Sequence, residues 1–295
     1  MAQRWSSDSA ASAFAHGIFY FLIRGGGRRV AYALLLCVAT WYTLFNAHGQ
    51  RGEFYLARRF NDSGWLKKLW RRWRLNFSFG QVLIDRAAAG ISGSAGVAGE
   101  REFTAQITAL LARGRGALIV SAHLGCWQMA MAAMEIIPVP KYVVYRRPDG
   151  DVDKLAHEHG GLASTVQFID PAGPFGGTPE IMAALARNAV VCVTGDRVFG
   201  SARGALSVPF LGGNINVPAS AYRIAAATGA PLLVIFFPRL GAGRVGAELT
   251  AVMDIPDRGA NVQNYRAEAE RFAAAMEKFC AARPYQFFNF FDLWE

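Results

Sequence analysis

The chain has 295 residues, 53% hydrophobic and 18% charged, and 31 Lys and Arg against 22 Asp and Glu give it a formal charge of +9. Its length admits two domains but is common for a one-domain α/β enzyme, and its basic, apolar character points to an acidic partner, either nucleic acid or anionic lipid. The four scattered cysteines (Cys37, Cys126, Cys192, Cys280) form no CxxC pair, which excludes a disulfide frame or a zinc site and suits a reducing compartment.

Residues 1–13 are small and polar and are expected to form a disordered tail without the features of a secretory signal. Apolar runs follow at 14–23 and 30–45, separated by Arg24, three glycines, Arg28 and Arg29. The second run, about 24 Å as a helix, is short of the roughly 20 residues that a spanning helix needs. Basic residues flank it on both sides, so it carries no simple positive-inside asymmetry. The pattern favours an interfacial anchor or monotopic hairpin over a single span or an ordinary core. Residues 51–74 interleave Arg58, Arg59, Lys67, Lys68, Arg71 and Arg72 with Phe54, Phe60, Trp65, Trp70 and Trp73, which predicts a basic amphipathic helix. Because it follows two apolar runs, an anionic membrane surface is the expected partner and no nucleic acid is. Helical spacing continues through 76–89 into a Gly/Ser/Ala linker at 90–99, which is read as having no strand before it and no helix start after it and so as a poor dinucleotide loop. Residues 14–75 are therefore read as a membrane-associating helical segment and 76–295 as a second unit.

In that unit helices are expected at 103–112, 128–136, 178–187, 218–227 and 261–282, and strands at 117–120, 142–145, 166–169, 189–194, 231–237 and 247–252. Thr178 reads as an N-cap, with Pro179 and Glu180 in the first turn. This alternation predicts a single α/β domain with a mostly parallel central sheet flanked by helices. Its pivot is 117–131, ALIVSAHLGCWQMAM, in which a buried strand ends in small residues and feeds a helix. Such a strand places its last side chains at the mouth of the sheet, where ligands bind. His123, one of five histidines, stands at that corner, either as a reactive group or as a residue that only packs at a turn.

No GxSxG elbow and no GxxxxGK[ST] loop occurs. His157 and His159 look like a metal pair, but an i, i+2 pair points to different helix faces and lacks a third ligand. A charged loop is expected there, with no metal and no cofactor. What remains is a set of polar residues at strand ends: His123 with Gln128, Arg146 with Arg147, and Asp196 with Arg197, followed by VPFLGG at 208–213.

The ordered set AHLGxW, YR, GDR with VPFLG, and TGAP before a strand resembles the lysophospholipid acyltransferase superfamily. Within it the nearest branch is the bacterial lipid A biosynthesis (lauroyl/myristoyl) acyltransferases. PYQFFNFFDLW at 284–294 is similar to the ending of one bacterial subgroup. The likeness runs from about residue 17 to the C-terminus; each motif alone is weak, and the ordered set is specific. It implies a glycerol-phosphate-acyltransferase-like fold and transfer of an acyl group from an acyl carrier protein or CoA thioester. The acceptor would be a hydroxyl or amine of a lipid or glycolipid, at the cytoplasmic face of a bacterial inner membrane.

The family signature is a histidine followed five positions later by an acid. His123 matches and is expected to act as general base, but the acidic position holds Gln128, which supplies no charge. Either the amide suffices for an easy transfer, or it is a substitution that traps substrate, or another acid serves, with Asp196 ahead of Glu135. A lipid-binding homologue of weakened activity is the alternative. The Gly125 and Cys126 amides, at a helix N-terminus, are expected to hold the oxyanion, with Trp127 completing the substrate-binding set. Arg146, Arg147 and Arg197 are candidates for a phosphate or headgroup, or for pairing with Asp149, Asp151 or Asp196.

Overall fold

The computed structural model describes residues 13–46, 50–61, 64–92, 96–129, 137–145, 166–198 and 204–294. In chain order the elements are α1 (Ala13–Phe45), α2 (Glu53–Arg59), α3 (Trp65–Ser92), β1 (Gly96–Ala98), α4 (Glu100–Leu111), β2 (Ala117–Ser121), β3 (Lys141–Val144) and β4 (Val166–Ile169). Then follow α5 (Thr178–Ala186), β5 (Val190–Thr194), β6 (Ala205–Phe210), β7 (Gly213–Pro218), α6 (Ser220–Thr228) and β8 (Leu232–Phe236). The last are β9 (Arg239–Gly241), β10 (Arg244–Gly246), β11 (Glu248–Met253) and α7 (Arg266–Ala282). The tail before residue 13, the expected helix beyond Met129, Glu135, Arg146, Arg147 and the 157–159 segment lie outside the described residues.

The central sheet has six strands in the order β11-β8-β2-β5-β3-β4. Only the β11–β8 pair is antiparallel; the other pairs are parallel, as helix–strand alternation dictates. β2 lies between β8 and β5, and every residue of β2 and β8 is buried. Strands covered on both faces need continuous apolar runs, and each fully buried Val, Leu or Ile contributes about 1.5–3 kcal/mol. α7 packs against the sheet through Ala269, Phe272, Ala273, Met276, Phe279 and Cys280, spaced three and four apart. Phe236 of β8 meets Phe272 and Phe279 at ring-centroid distances of 6.3 and 5.5 Å.

The N-terminal helices have a core of their own. Ala31, Leu35 and Ala39 of α1, one helical turn apart, pack on Phe77, Ile84 and Ala88 of α3. A side chain at Gly80 would run into Leu35, so the glycine sets how closely the two helices approach. The glycine-rich break expected between the two apolar runs is present: at Gly27 (φ 73°, ψ −176°) the backbone is non-helical, and α1 is two helices joined across a kink. Among the described residues no helix is long and apolar enough to cross a membrane.

Four expectations are corrected. The basic helix at 51–74 is two helices, because Phe60 turns extended (φ −131°, ψ 123°) and its ring stacks on Tyr285 and under the Arg71 guanidinium. The linker at 90–99 contains β1, which pairs in parallel with β10. The N-cap of α5 is Gly177 (φ 75°), not Thr178, whose hydroxyl donates to the Phe175 carbonyl at 2.8 Å. A helix does start after the 90–99 linker, at Glu100, with Gly99 (φ 75°) as its N-cap. VPFLGG forms the turn of the β6–β7 hairpin, with Leu211 and Gly212 both at positive φ, the geometry that suits a two-residue turn.

Candidate active site at the carboxyl ends of β2 and β5

Strand register alone brings the two key side chains together. Ser121 of β2 pairs with Thr194 of β5, so two residues further on His123 faces Asp196. The imidazole Nδ1 lies 2.9 and 3.0 Å from the two carboxylate oxygens, and the His123 main-chain N–H donates to Oδ2 at 3.1 Å. An ionised carboxylate only accepts, so a neutral ring bonded to it carries its proton on Nδ1 and leaves Nε2 bare.

Asp196 is fully buried, and its surroundings compensate its charge. Asn289 Nδ2 donates to Oδ2 at 2.8 Å, while Asn289 Oδ1 accepts from Arg197 Nε at 2.6 Å. A second Arg197 nitrogen donates to the Phe288 carbonyl at 3.2 Å, and the guanidinium lies 5.3 Å from the Phe291 ring centroid. Arg197 thus points inward as the carboxylate's electrostatic support, which does not fit the headgroup fork expected of it. Asn289 went unrecognised in the sequence, although a polar residue inside FFNFF is itself a signal.

The C-terminal segment straps the histidine turn in place. The Phe288 N–H donates to the His123 carbonyl at 2.8 Å, and Gly125 N–H donates to the Gln286 carbonyl at 2.8 Å. Cys126 N–H donates to the Phe237 carbonyl at 2.6 Å. The two amides expected to hold an oxyanion are therefore already spent on carbonyls, since each N–H has one proton to give. They are scaffold. The Cys126 thiol is pushed by burial up to about 12 and is no thiolate at neutral pH, so it is not a nucleophile here.

Trp127 lies beside the histidine, ring centroids 5.1 Å apart, and with Phe288 and Phe79 forms an aromatic wall. Gln128 is the middle residue of a short 3-10 turn, Trp127–Met129, and its buried Oε1 has no hydrogen-bond partner among the described residues. The imidazole partner is Asp196 and not the residue five positions on. Arg146 and Arg147 lie outside the described residues, so the site as described contains neither.

Burial pushes the His123 imidazole below the ordinary histidine value; Arg197 pushes the same way, and Asp196 opposes without reversing them. Burial alone would raise the Asp196 carboxyl, but His123, Arg197 and Asn289 together hold it well below the usual carboxylate range. Arg197 is lowered by burial to about 10 and stays charged at neutral pH. The resting pair is therefore a neutral imidazole on an ionised carboxylate. The acidic limb of kcat/KM is expected below pH about 6.5, the value of a free imidazole. A rate profile from pH 4 to 8 checks this; a limb above 6.5 would count against the pair.

A neutral imidazole held by a buried carboxylate at the carboxyl ends of two parallel strands has the chemistry a general base needs. The sequence model of the bacterial lipid A biosynthesis acyltransferase family matches residues 97–295, from β1 through the C-terminal strap. The chain belongs to that family, whose members are acyltransferases acting on lipid. None of the curated proteins compared matches it significantly.

Proposed function

We propose that the protein moves a fatty-acyl group from an acyl carrier protein or CoA thioester to a hydroxyl or amine of a lipid or glycolipid. The place is the cytoplasmic face of a bacterial inner membrane. The His123–Asp196 pair, at 2.9 Å, is the observation that carries this reading. Nε2 of His123 takes the acceptor's proton as its oxygen or nitrogen attacks the thioester carbonyl. The tetrahedral intermediate then expels the thiolate, which receives that proton from the imidazolium. Asp196 holds the ring in the productive tautomer and offsets the imidazolium charge as it forms.

A seat on the membrane surface, without a span, is supported by the N-terminal helices. Phe21, Trp41 and Phe45 of α1 and Trp65, Leu66 and Trp70 of α3 are exposed, as are Lys67, Lys68 and Arg74. Aromatic residues beside cations suit the headgroup level of an anionic bilayer, and the same cations suit an acidic carrier protein.

Acyl transfer from labelled carrier-protein and CoA thioesters into a membrane lipid extract tests the reading. The unsubstituted chain should transfer and His123→Ala should not. If neither turns over either donor, the enzyme reading fails for these substrates. In the same assay Gln128→Glu is expected to change turnover far less than the roughly 10²–10⁴-fold typical of general-base catalysis, because Asp196 already fills the acid's role.

A further inference from the structure

A second buried polar cluster lies between the N-terminal helices and the site, unused by the chemistry above. Asp85 of α3 is 1% exposed. It accepts hydrogen bonds from the Tyr32 hydroxyl of α1, from Arg239 Nε at 2.7 Å and from the Gly243 N–H at 2.9 Å, with Arg28 Nε 3.7 Å away. Arg239 also donates to the Tyr32 hydroxyl, at 3.0 Å. Arg239 opens β9, directly after the turn that leaves β8, and its own main chain is clamped by one side chain. Its N–H donates to Gln286 Oε1 at 2.9 Å, and Gln286 Nε2 donates to its carbonyl at 3.0 Å. The Gln286 carbonyl is the group that holds Gly125, and Phe237, two residues before Arg239, holds Cys126.

We propose that Asp85 and Arg239 are positioning residues for the transfer reaction, fixing the His123 turn from the N-terminal helices through Gln286 and the turn after β8. The proposal rests on the functional reading above and deepens it. A buried ion pair is weak evidence of stability, since apolar residues of similar volume often serve as well. What this one supplies is direction, because it holds Arg239, whose main chain bonds Gln286 and follows Phe237, and the carbonyls of those two residues bond the histidine turn. A glycine-hinged turn has little of its own to hold it, and small misplacements of a base are costly to rate. The helices that present aromatic and basic residues to solvent are thereby part of the frame of the site.

The test uses the full chain with Asp85→Asn, which keeps shape and removes charge. Its folded state is checked by circular dichroism, and exchange of the Gly125 and Cys126 amides and acyl transfer are then measured. Protection of those two amides is expected to fall roughly tenfold or more as the turn opens locally. The kcat is expected to fall by about tenfold to a hundredfold with the donor KM unchanged, as for a misplaced base. Unchanged amide protection in a folded Asp85→Asn protein overturns the proposal, whatever the activity of the unsubstituted chain. Lost protection in a protein whose unsubstituted form transfers nothing supports the link and sinks the functional reading alone. Should Asp85→Asn not fold, Tyr32→Phe removes one hydroxyl only; weaker changes of the same sign support the link, and none overturns it.

Discussion

Asp196→Asn is expected to leave the protein folded and to lower acyl-transfer turnover by about three to four orders of magnitude, on the scale of the Asp-to-Asn change in the serine-protease triad. Asp196 accepts from three donors, the His123 ring, the His123 main-chain N–H and the Asn289 amide. An asparagine has one oxygen with which to accept, so its NH₂ must face a donor or bond to Nδ1. Bonding to Nδ1 pushes the ring proton to Nε2, where the base needs its lone pair. The stability cost should be about 1–3 kcal/mol, that of an unsatisfied buried group, against a far larger effect on rate. Because Asp196 raises the imidazole value against burial and Arg197, its neutralisation also moves the residual acidic limb to lower pH. Single-turnover rates and urea midpoints on the same samples separate the two effects; a rate within tenfold of the unsubstituted chain would remove Asp196 from the mechanism.

The second large effect is structural and sits beside the histidine. Gly125→Ala should cost about 2–5 kcal/mol, the sum of a left-handed backbone for a residue with a Cβ and of overpacking. Gly125 has φ 56°, and a Cβ there would collide with the Phe237 carbonyl oxygen and lie 3.0 Å from Pro238 Cα. Both colliding groups are main chain and cannot rotate away. Relief would break the Cys126–Phe237 and Gly125–Gln286 hydrogen bonds, so activity should be lost even where the protein remains folded. Gly99→Ala is the control: its φ of 75° is equally unusual, but nothing lies within 4 Å of the added Cβ. It should cost only about 1–2 kcal/mol, the backbone part alone. Equal urea midpoints for the two variants would show that the collision is relieved cheaply and that the turn is softer than described.

The sheet was legible because its central strands are buried on both faces. A fully covered strand must be a continuous apolar run, as in ALIV at 117–120 and VVCV at 190–193, and no helix of that length disguises it. The edge strand at 166–169 was equally clear. β6 and β7 were not read as a hairpin because their turn is Leu211-Gly212, and leucine is not a residue that advertises positive φ. β1, β9 and β10, three residues each, carry too little pattern to be seen. The break between α2 and α3 carried a turn signal, Asn61-Asp62-Ser63-Gly64, which the basic and aromatic spacing on either side hid; Phe60, just before it, stacks on Tyr285.

In the site, a strand-end histidine was visible and its partner was only one candidate among several. Position in the chain favoured Gln128, five residues on, whereas parallel pairing of β2 and β5 brings in a residue 73 positions away. Once the β2–β5 pairing is known, the partner follows by counting. Asn289 carried a signal, a polar residue inside FFNFF, but Gln286 and the Asp85–Arg239 pair were beyond reach for the same reason. Each is defined by what it bonds across the fold, not by its neighbours in the chain.

The claim that a carboxylate-held, neutral His123 is the base is tested most directly by the ¹⁵N resonances of its imidazole in the full chain near pH 7. The pair as described requires Nδ1 protonated and Nε2 bare, with the proton moving toward Nε2 in Asp196→Asn. A ring protonated on Nε2 in the unsubstituted protein, or one whose resonances ignore the Asp196→Asn change, would contradict it.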